Sequence, residues 1–238
     1  MNLRRVSIAS LILLMSLSFC GTITGTVGFE GKVPGKKRLK MDADPVCGSA
    51  HSGPVYNQSF MVNDDMKLQN VMVWLKGKGL KGKSPDAAIL DQKGCVYEPH
   101  VLGLMTGQKL TIKTSDHTLH NIHSRSKVNS SFNFAMPEQM AKAGLTKDVS
   151  FDKVEEPFII KCDVHPWMKS YVSVFDHPYF AVTDENGNFK IENVPAGDYE
   201  IMAWQEKFKT KGILSQKVSV GEGETKADFT FVRKSKKK

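Results

Sequence analysis

Cysteine, histidine and methionine, all with affinity for soft metal ions, cluster in two short stretches of this 238-residue chain. Lys161-Cys-Asp-Val-His-Pro-Trp-Met168 brings Cys162, His165 and Met168 into one loop, and Thr118-Leu-His-Asn-Ile-His-Ser124 adds His120 and His123 upstream. Two imidazoles, one thiolate and one distant thioether are the donor set of a type 1 (blue) copper electron-transfer site. Thiolate suits Cu(I), imidazole suits Cu(II), and a weak axial thioether limits relaxation toward the square-planar geometry of Cu(II). Such a loop can fold three donors onto one ion only if few residues separate them, as here. A buried free thiol beside a turn histidine is the plainer alternative, but it leaves an exported thiol open to oxidation. Zinc would accept the cysteine and histidines, yet methionine is a poor zinc ligand. Multicopper enzymes often carry a histidine on each side of the cysteine. Lys161 and Asp163 stand there instead, so the chain reads as a carrier rather than an enzyme.

The elements that must position these donors read as strands. Val154–Ile160 and Tyr171–Phe175 alternate or run apolar on either side of the loop, and Tyr97 to Ile112 reads as strand, turn and strand. His123 lies three residues beyond His120 and so faces the opposite side of a strand. With His120-Asn-Ile-His123 ahead of Cys162-Asp-Val-His165-Pro-Trp-Met168, the segment from Pro85 to Asp176 resembles the cupredoxins, most of all their amicyanin-like members. The resemblance implies a Greek-key β-sandwich holding one type 1 copper through His120, Cys162, His165 and Met168. It also implies that Asn121 braces the cysteine loop by hydrogen bonding. His165 is expected nearest solvent, within a docking rim formed by Pro166 and Trp167. An exposed His165 could leave reduced copper on protonation, so the potential would rise in acid.

A second β module flanks the first. Glu185-Asn-Gly-Asn and Pro195-Ala-Gly-Asp supply tight turns between strands in Thr183–Ala203. These, with Ile23–Phe29 and the apolar run Val71–Leu75, resemble the carboxypeptidase regulatory-like sandwich, a transthyretin-like fold. Because the pieces straddle the copper segment, the expected fold class is all-β: two β-sandwich domains, one cupredoxin-like and one discontinuous. The division is 1–20 export signal, 21–83 first part of the regulatory-like sandwich, 84–176 copper domain, 177–232 second part, and 233–238 basic tail. Lys76 to Pro85 has linker composition, and insertion at a loop tip preserves the scaffold's strand pairing. The scaffold shows no catalytic set and is assigned to support or partner binding.

Met1–Arg5 is short and positive, and Val6–Phe19 is an apolar run suited to a secretory signal but short for a bilayer span. Leu17-Ser-Phe-Cys20 leaves two cleavage readings open: a lipobox, with Cys20 lipidated and membrane-attached, or ordinary cleavage before Gly21. Both place the mature chain in the periplasm or cell envelope. Export then makes the cysteine count informative. With Cys20 removed or lipidated and Cys162 on the metal, Cys47 and Cys95 remain to pair. The formal net charge is +8, but Arg4 and Arg5 carry two of these charges and residues 233–238 carry five, leaving a body of +1. A nearly neutral body speaks against a nucleic-acid binder.

The function expected is an exported mononuclear copper protein passing single electrons between redox partners through transient contacts. The alternatives are copper storage or delivery, and an envelope structural or adhesion protein with a copper-stabilised domain. His100, His117 and His123 are further candidates for an additional metal site. His51 and His177 read as surface or turn residues. Met136 and Met140, in a loop or short helix over Phe132–Gly144, read as packing residues.

Overall fold

The computed structural model describes residues 20–234. The export-signal reading for residues 1–20 lies outside this range except at Cys20, and the basic-tail reading enters it only at Arg233 and Lys234. The architecture is all-β, with two stacked-sheet units and only short helical turns.

The first unit is assembled from both ends of the chain. Cys20–Glu30 pairs antiparallel with Asn188–Pro195 and parallel with Gly223–Lys226 and Phe229–Val232. Its alternation buries Ile23, Val27 and Phe29, as a strand with one wet face requires. The facing sheet runs in the order Phe180–Val182, Met72–Lys76, Gly197–Trp204, Ile213–Val220. Between the sheets, Ile23, Phe29, Leu75, Ile201 and Phe231 share one core. Met72–Lys76 and Phe180–Val182 are paired neighbours, with Trp74 opposite Phe180. The chain leaves the sandwich after the first and returns just before the second, so the intervening residues extend from a point where scaffold pairing is undisturbed.

Those intervening residues form the second unit. One sheet runs Asn133–Met136, His120–Ser124, Glu155–Lys161, Lys169–Phe175, Val101–Met105. The other runs Lys147–Val149, Leu110–Thr114, Ala88–Lys93, Val96–Glu98. Leu90, Leu104, Ile112, Ile122, Ile160 and Val172 fill the space between. Met136 lies in a strand, not a helix, and is buried in this core, while Met140 packs against it.

Residues 36–57 differ from the expected division. They lie in the stretch assigned to the first sandwich, but Met41 and Cys47 are buried in the second core, with Leu39 and Val55 against it. Leu39 N donates to Val55 O and Asn57 N to Lys37 O, each within 2.9 Å, closing the segment into a strap. At its tip is the helical turn Pro45–Ser49.

The two units meet across a third apolar cluster. Val71, Val73 and Leu75 face the scaffold core, whereas Met72 and Trp74 point the other way, against Val101 and Phe175. Burial on both faces explains why this strand is apolar without alternation. Trp74 meets Phe175 at 5.7 Å and Phe175 meets Phe180 at 4.9 Å between ring centroids. Gly103 sits where a Cβ would come within 2.5 Å of the Phe180 ring, so the closeness of the two units depends on glycine there.

Candidate metal centre

The loop that carries three of the donors is held by its own backbone. Cys162 N donates to Met168 O at 3.1 Å, Met168 N to His165 O at 2.9 Å, and His165 N to Cys162 Sγ at 3.3 Å. His120 opens a strand that pairs with Glu155–Lys161, the strand leading into Cys162. The donor atoms of His120, Cys162 and His165 consequently lie within 4.8 Å of one another. All three, and Met168, are buried.

The two imidazoles are arranged in a telling way. Their Nδ1 atoms face each other at 2.9 Å, and Cys162 Sγ lies 3.9 Å from that of His165. Their Nε2 atoms point away, each to a carboxylate: His120 to Asp116 Oδ2 and His165 to Asp44 Oδ2, both at 3.0 Å. A carboxylate partner fixes Nε2 as the protonated nitrogen and leaves the lone pair on Nδ1. Two lone pairs this close repel unless a cation lies between them. Nitrogens bound at about 2 Å to one ion stand roughly 3 Å apart, so the spacing fits a shared metal.

The local electrostatics agree. Burial opposes ionisation of Cys162, but His120 and the backbone amides of Asn121, His165 and Val164 outweigh it and hold the thiol below its ordinary value. Burial also works against charge on His120, yet Asp116 and the Cys162 thiolate raise it to about 9. Burial, aided by the His120 charge, keeps His165 below its ordinary value despite Asp44.

Asn121 spans the strand and the loop. Its Oδ1 accepts from Asp163 N at 2.6 Å, and its Nδ2 donates to Asn133 Oδ1 at 2.7 Å. Tyr97 Oη donates to Asn121 O at 2.5 Å. His123 turns away and bonds Asp163 Oδ2 at 2.8 Å.

Cys47 and Cys95 are joined by a disulfide, which ties the strap over the histidines. Asp44 caps the Pro45–Ser49 turn, its Oδ1 accepting from Val46 N at 2.8 Å, while its Oδ2 accepts from Thr118 Oγ1 at 2.7 Å. Cys47 Sγ stands 3.7 Å from His165 Nε2. Two expectations change as a result. His165 is 3% exposed rather than at a solvent rim, because the strap covers it. Of the expected rim, Pro166 is exposed, but Trp167 is half-buried and donates from Nε1 to Cys95 O at 3.0 Å.

The remaining histidines scatter. His100 is buried and bonds Glu206 of the scaffold at 2.7 Å. His117 is exposed, and neither it, His100 nor His123 belongs to a metal-capable cluster among the described residues. His51 is exposed and bonds Gly94 O. His177 lies in the bend between Lys169–Phe175 and Phe180–Val182, in keeping with a turn, but it is buried rather than at the surface, with Nε2 on Leu75 O at 3.0 Å. Sequence reading passed over Asp44 and Asp116. The first sits three residues before Cys47, in the Asp-Pro pattern of a helix start. The second lies four residues before His120 in a turn.

Comparison with known proteins gives partial likenesses. A family described as polysaccharide lyase family 4, domain II, matches residues 161–228. No curated protein matches. Among solved structures, a copper-containing nitrite reductase from Thermus scotoductus SA-01 is 18% identical, at TM-score 0.33, over 42% of this chain and 25% of that one. A reduced mutant of amicyanin is 17% identical, at TM-score 0.33, over 43% of this chain and 98% of that one. A purple cupredoxin from Nitrosopumilus maritimus is 22% identical, at TM-score 0.30, over 37% and 99%.

Proposed function

We propose that this chain is an exported mononuclear copper protein that relays single electrons, with His120, Cys162, His165 and Met168 as ligands. The observation that carries the reading is the pair of Nδ1 lone pairs converging beside a stabilised thiolate, each imidazole oriented by its own carboxylate. Copper bound there would supply reversible one-electron chemistry. The protein's part is to hold the donors still. Asp116 and Asp44 fix both imidazoles, Asn121 fixes the cysteine loop, and backbone amides share the thiolate charge.

Enclosure favours a carrier over an enzyme or an exchange site, because the four donors are buried and leave a substrate or chelator no open approach. Docking falls to the apolar surface next to the ligands. Leu119 and Val164 each precede a ligand histidine and are about half exposed, at 46% and 47%, beside exposed Pro166. Redox proteins touching this surface would do so briefly, without nucleic acid. The scaffold, read as regulatory-like, packs behind Lys169–Phe175 and supports the loop. No helix among the described residues is long and apolar enough to cross a membrane, so membrane association would come from a lipidated Cys20 in the periplasm or cell envelope.

The test is an optical spectrum of the protein loaded with Cu(II). An intense visible thiolate-to-copper band, absent from Cys162→Ala, is expected. Stoichiometric Cu(II) without such a band would overturn the reading.

A further inference from the structure

The cations of this chain gather on one face. Lys32, Lys36 and Lys37 are exposed on the segment after Cys20–Glu30, Lys207 is exposed in the helical turn Glu206–Lys211, and Arg233 and Lys234 follow Phe229–Val232. Two shallow hollows share Pro34 and Gly35: Lys32, Arg233 and Lys234 border one, and Lys36, Lys37 and Lys207 border the other. The Arg233 guanidinium lies 5.4 Å from the centroid of the Phe60 ring, which lines the second hollow. Among the described residues, no ion pair involves Lys32, Lys36, Lys37, Arg233 or Lys234. Exposed Glu30 offsets one of these charges, while Ser235-Lys-Lys-Lys238 continues the sequence with three more lysines.

This basic face is joined to the metal loop. Lys207 Nζ and Lys169 Nζ approach the same oxygen of the buried Glu206 carboxylate, at 3.6 and 2.8 Å, and Lys169 directly follows Met168. The hollow at Lys36 and Lys37 also shares Asn57 with a crevice bordered by Trp167, Met168 and Lys169. Neither hollow includes Leu119, Val164 or Pro166 of the apolar surface.

We propose that this face docks an acidic redox protein, a second partner distinct from the one met by the apolar surface; the proposal rests on the electron-relay reading above. A relay takes an electron from one protein and gives it to another, and two separate surfaces let those proteins differ. Cations clustered on one face steer an anionic partner toward it and speed encounter at low salt. A partner seated over Lys36, Lys37 and Lys207 would stand beside the Met168 loop, through Asn57 and Glu206. The placement speaks against a membrane as the occupant. Cys20 and Glu30 end an 11-residue strand and so stand roughly 33 Å apart. A lipid anchor at Cys20 would hold a bilayer at the end of that strand away from the basic face.

The test compares two double variants with the same change in charge. Lys36→Glu with Lys37→Glu alters the face; Lys190→Glu with Lys226→Glu, both paired to Thr24 in the half of the strand nearer Cys20, is the control. The isotope-labelled protein is titrated at low salt with hexacyanochromate(III), a paramagnetic trianion, and separately with an acidic two-iron ferredoxin. Amide signals of residues 32–37 and Lys207 should broaden with the first and shift with the second, in the control but not in the face variant. These spectra need no copper, so they separate failure of the docking face from failure of the relay reading. In stopped flow, reduced ferredoxin should reduce the copper-loaded face variant at least tenfold more slowly than the control at low salt, and the two rates should converge at high salt. Perturbation centred on Leu119 and Val164, equal rates in the two variants, or binding to phosphatidylglycerol vesicles but not to the ferredoxin would overturn the proposal.

Discussion

Asp44 Oδ2 accepts a hydrogen bond from His165 Nε2 at 3.0 Å while the same carboxylate caps the turn at Pro45–Ser49. One side chain thus links the local folding of the strap to the orientation of His165 far along the chain. Burial disfavours charge on Asp44, but Thr118, the Cys47 and Val46 amides and His165 hold it down at about 2. It stays ionised at every pH where a histidine titrates.

That link reverses the pH dependence expected of an exposed loop. A proton that releases His165 from reduced copper would have to enter a buried Nδ1 while Asp44 keeps Nε2 in place. The potential of the copper-loaded protein should be flat between about pH 5 and 7.5, the range in which histidine ordinarily switches. Asp44→Ala removes the tether. Protonation then favours the reduced state, so the potential should rise as pH falls, approaching about 59 mV per pH unit. Voltammetry of both proteins decides it, and a sloping wild-type line would show that His165 leaves despite the strap.

Met168 is buried in the core beside the loop. If it supplies the thioether of the proposed donor set, Met168→Leu should keep copper and raise the potential, because losing a donor destabilises Cu(II) more than Cu(I). Met168→Gln should lower it. No movement in either variant would remove Met168 from the ligand set.

Glu206 of the scaffold binds His100 and Lys169 of the metal unit at 2.7 and 2.8 Å, with its side chain 3% exposed. Burial raises its carboxyl, but His100 and Lys169 outweigh this and lower it from 4.5 to about 2. A depressed folded-state value means stability that is present above about pH 4.5 and lost as pH falls toward 2, amounting to about 3 kcal/mol. Glu206→Gln should be less stable by about that much at neutral pH, since it removes the buried carboxylate charge that Lys169 and His100 bond. The difference should close at the acid end of a urea-denaturation series. A constant difference at all pH values would mean that packing, not charge, sets the effect.

Gly103→Ala should lower stability by about 1–3 kcal/mol, because the new methyl meets the Phe180 ring. Thermal unfolding of this variant, of Phe180→Ala and of the double variant measures the coupling. The double variant should cost less than the sum of the two. Strict additivity would mean that the two side chains do not meet.

The convergence of His120, Cys162 and His165 was legible because these are scarce residue types at a short spacing. The scaffold halves were legible through their turns, since Asn-Gly and Pro-Ala-Gly constrain the backbone locally. The strap was not, because residues 36–57 have no periodicity and gain their place only by pairing Leu39 with Val55 and by the bond to Cys95. Without the strap, His165 reads as exposed and Asp44 as an ordinary turn residue. The run Val71–Leu75 was recognisable as apolar, but its two-sided burial depends on a partner unit that local pattern does not reveal.

The pairing of Cys20–Glu30 alongside Phe229–Val232 has a mechanical consequence. The two strands run parallel, with Val27 beside Phe229 and Phe29 beside Phe231. Tension applied across residues 20 and 232 therefore pulls them in opposite directions along their length, loading the ladder in shear so that its hydrogen bonds resist together rather than one at a time. The force path crosses the scaffold alone. A tether at Cys20 could pull on this molecule without deforming the donors at His120 and Cys162 until that clamp gave way.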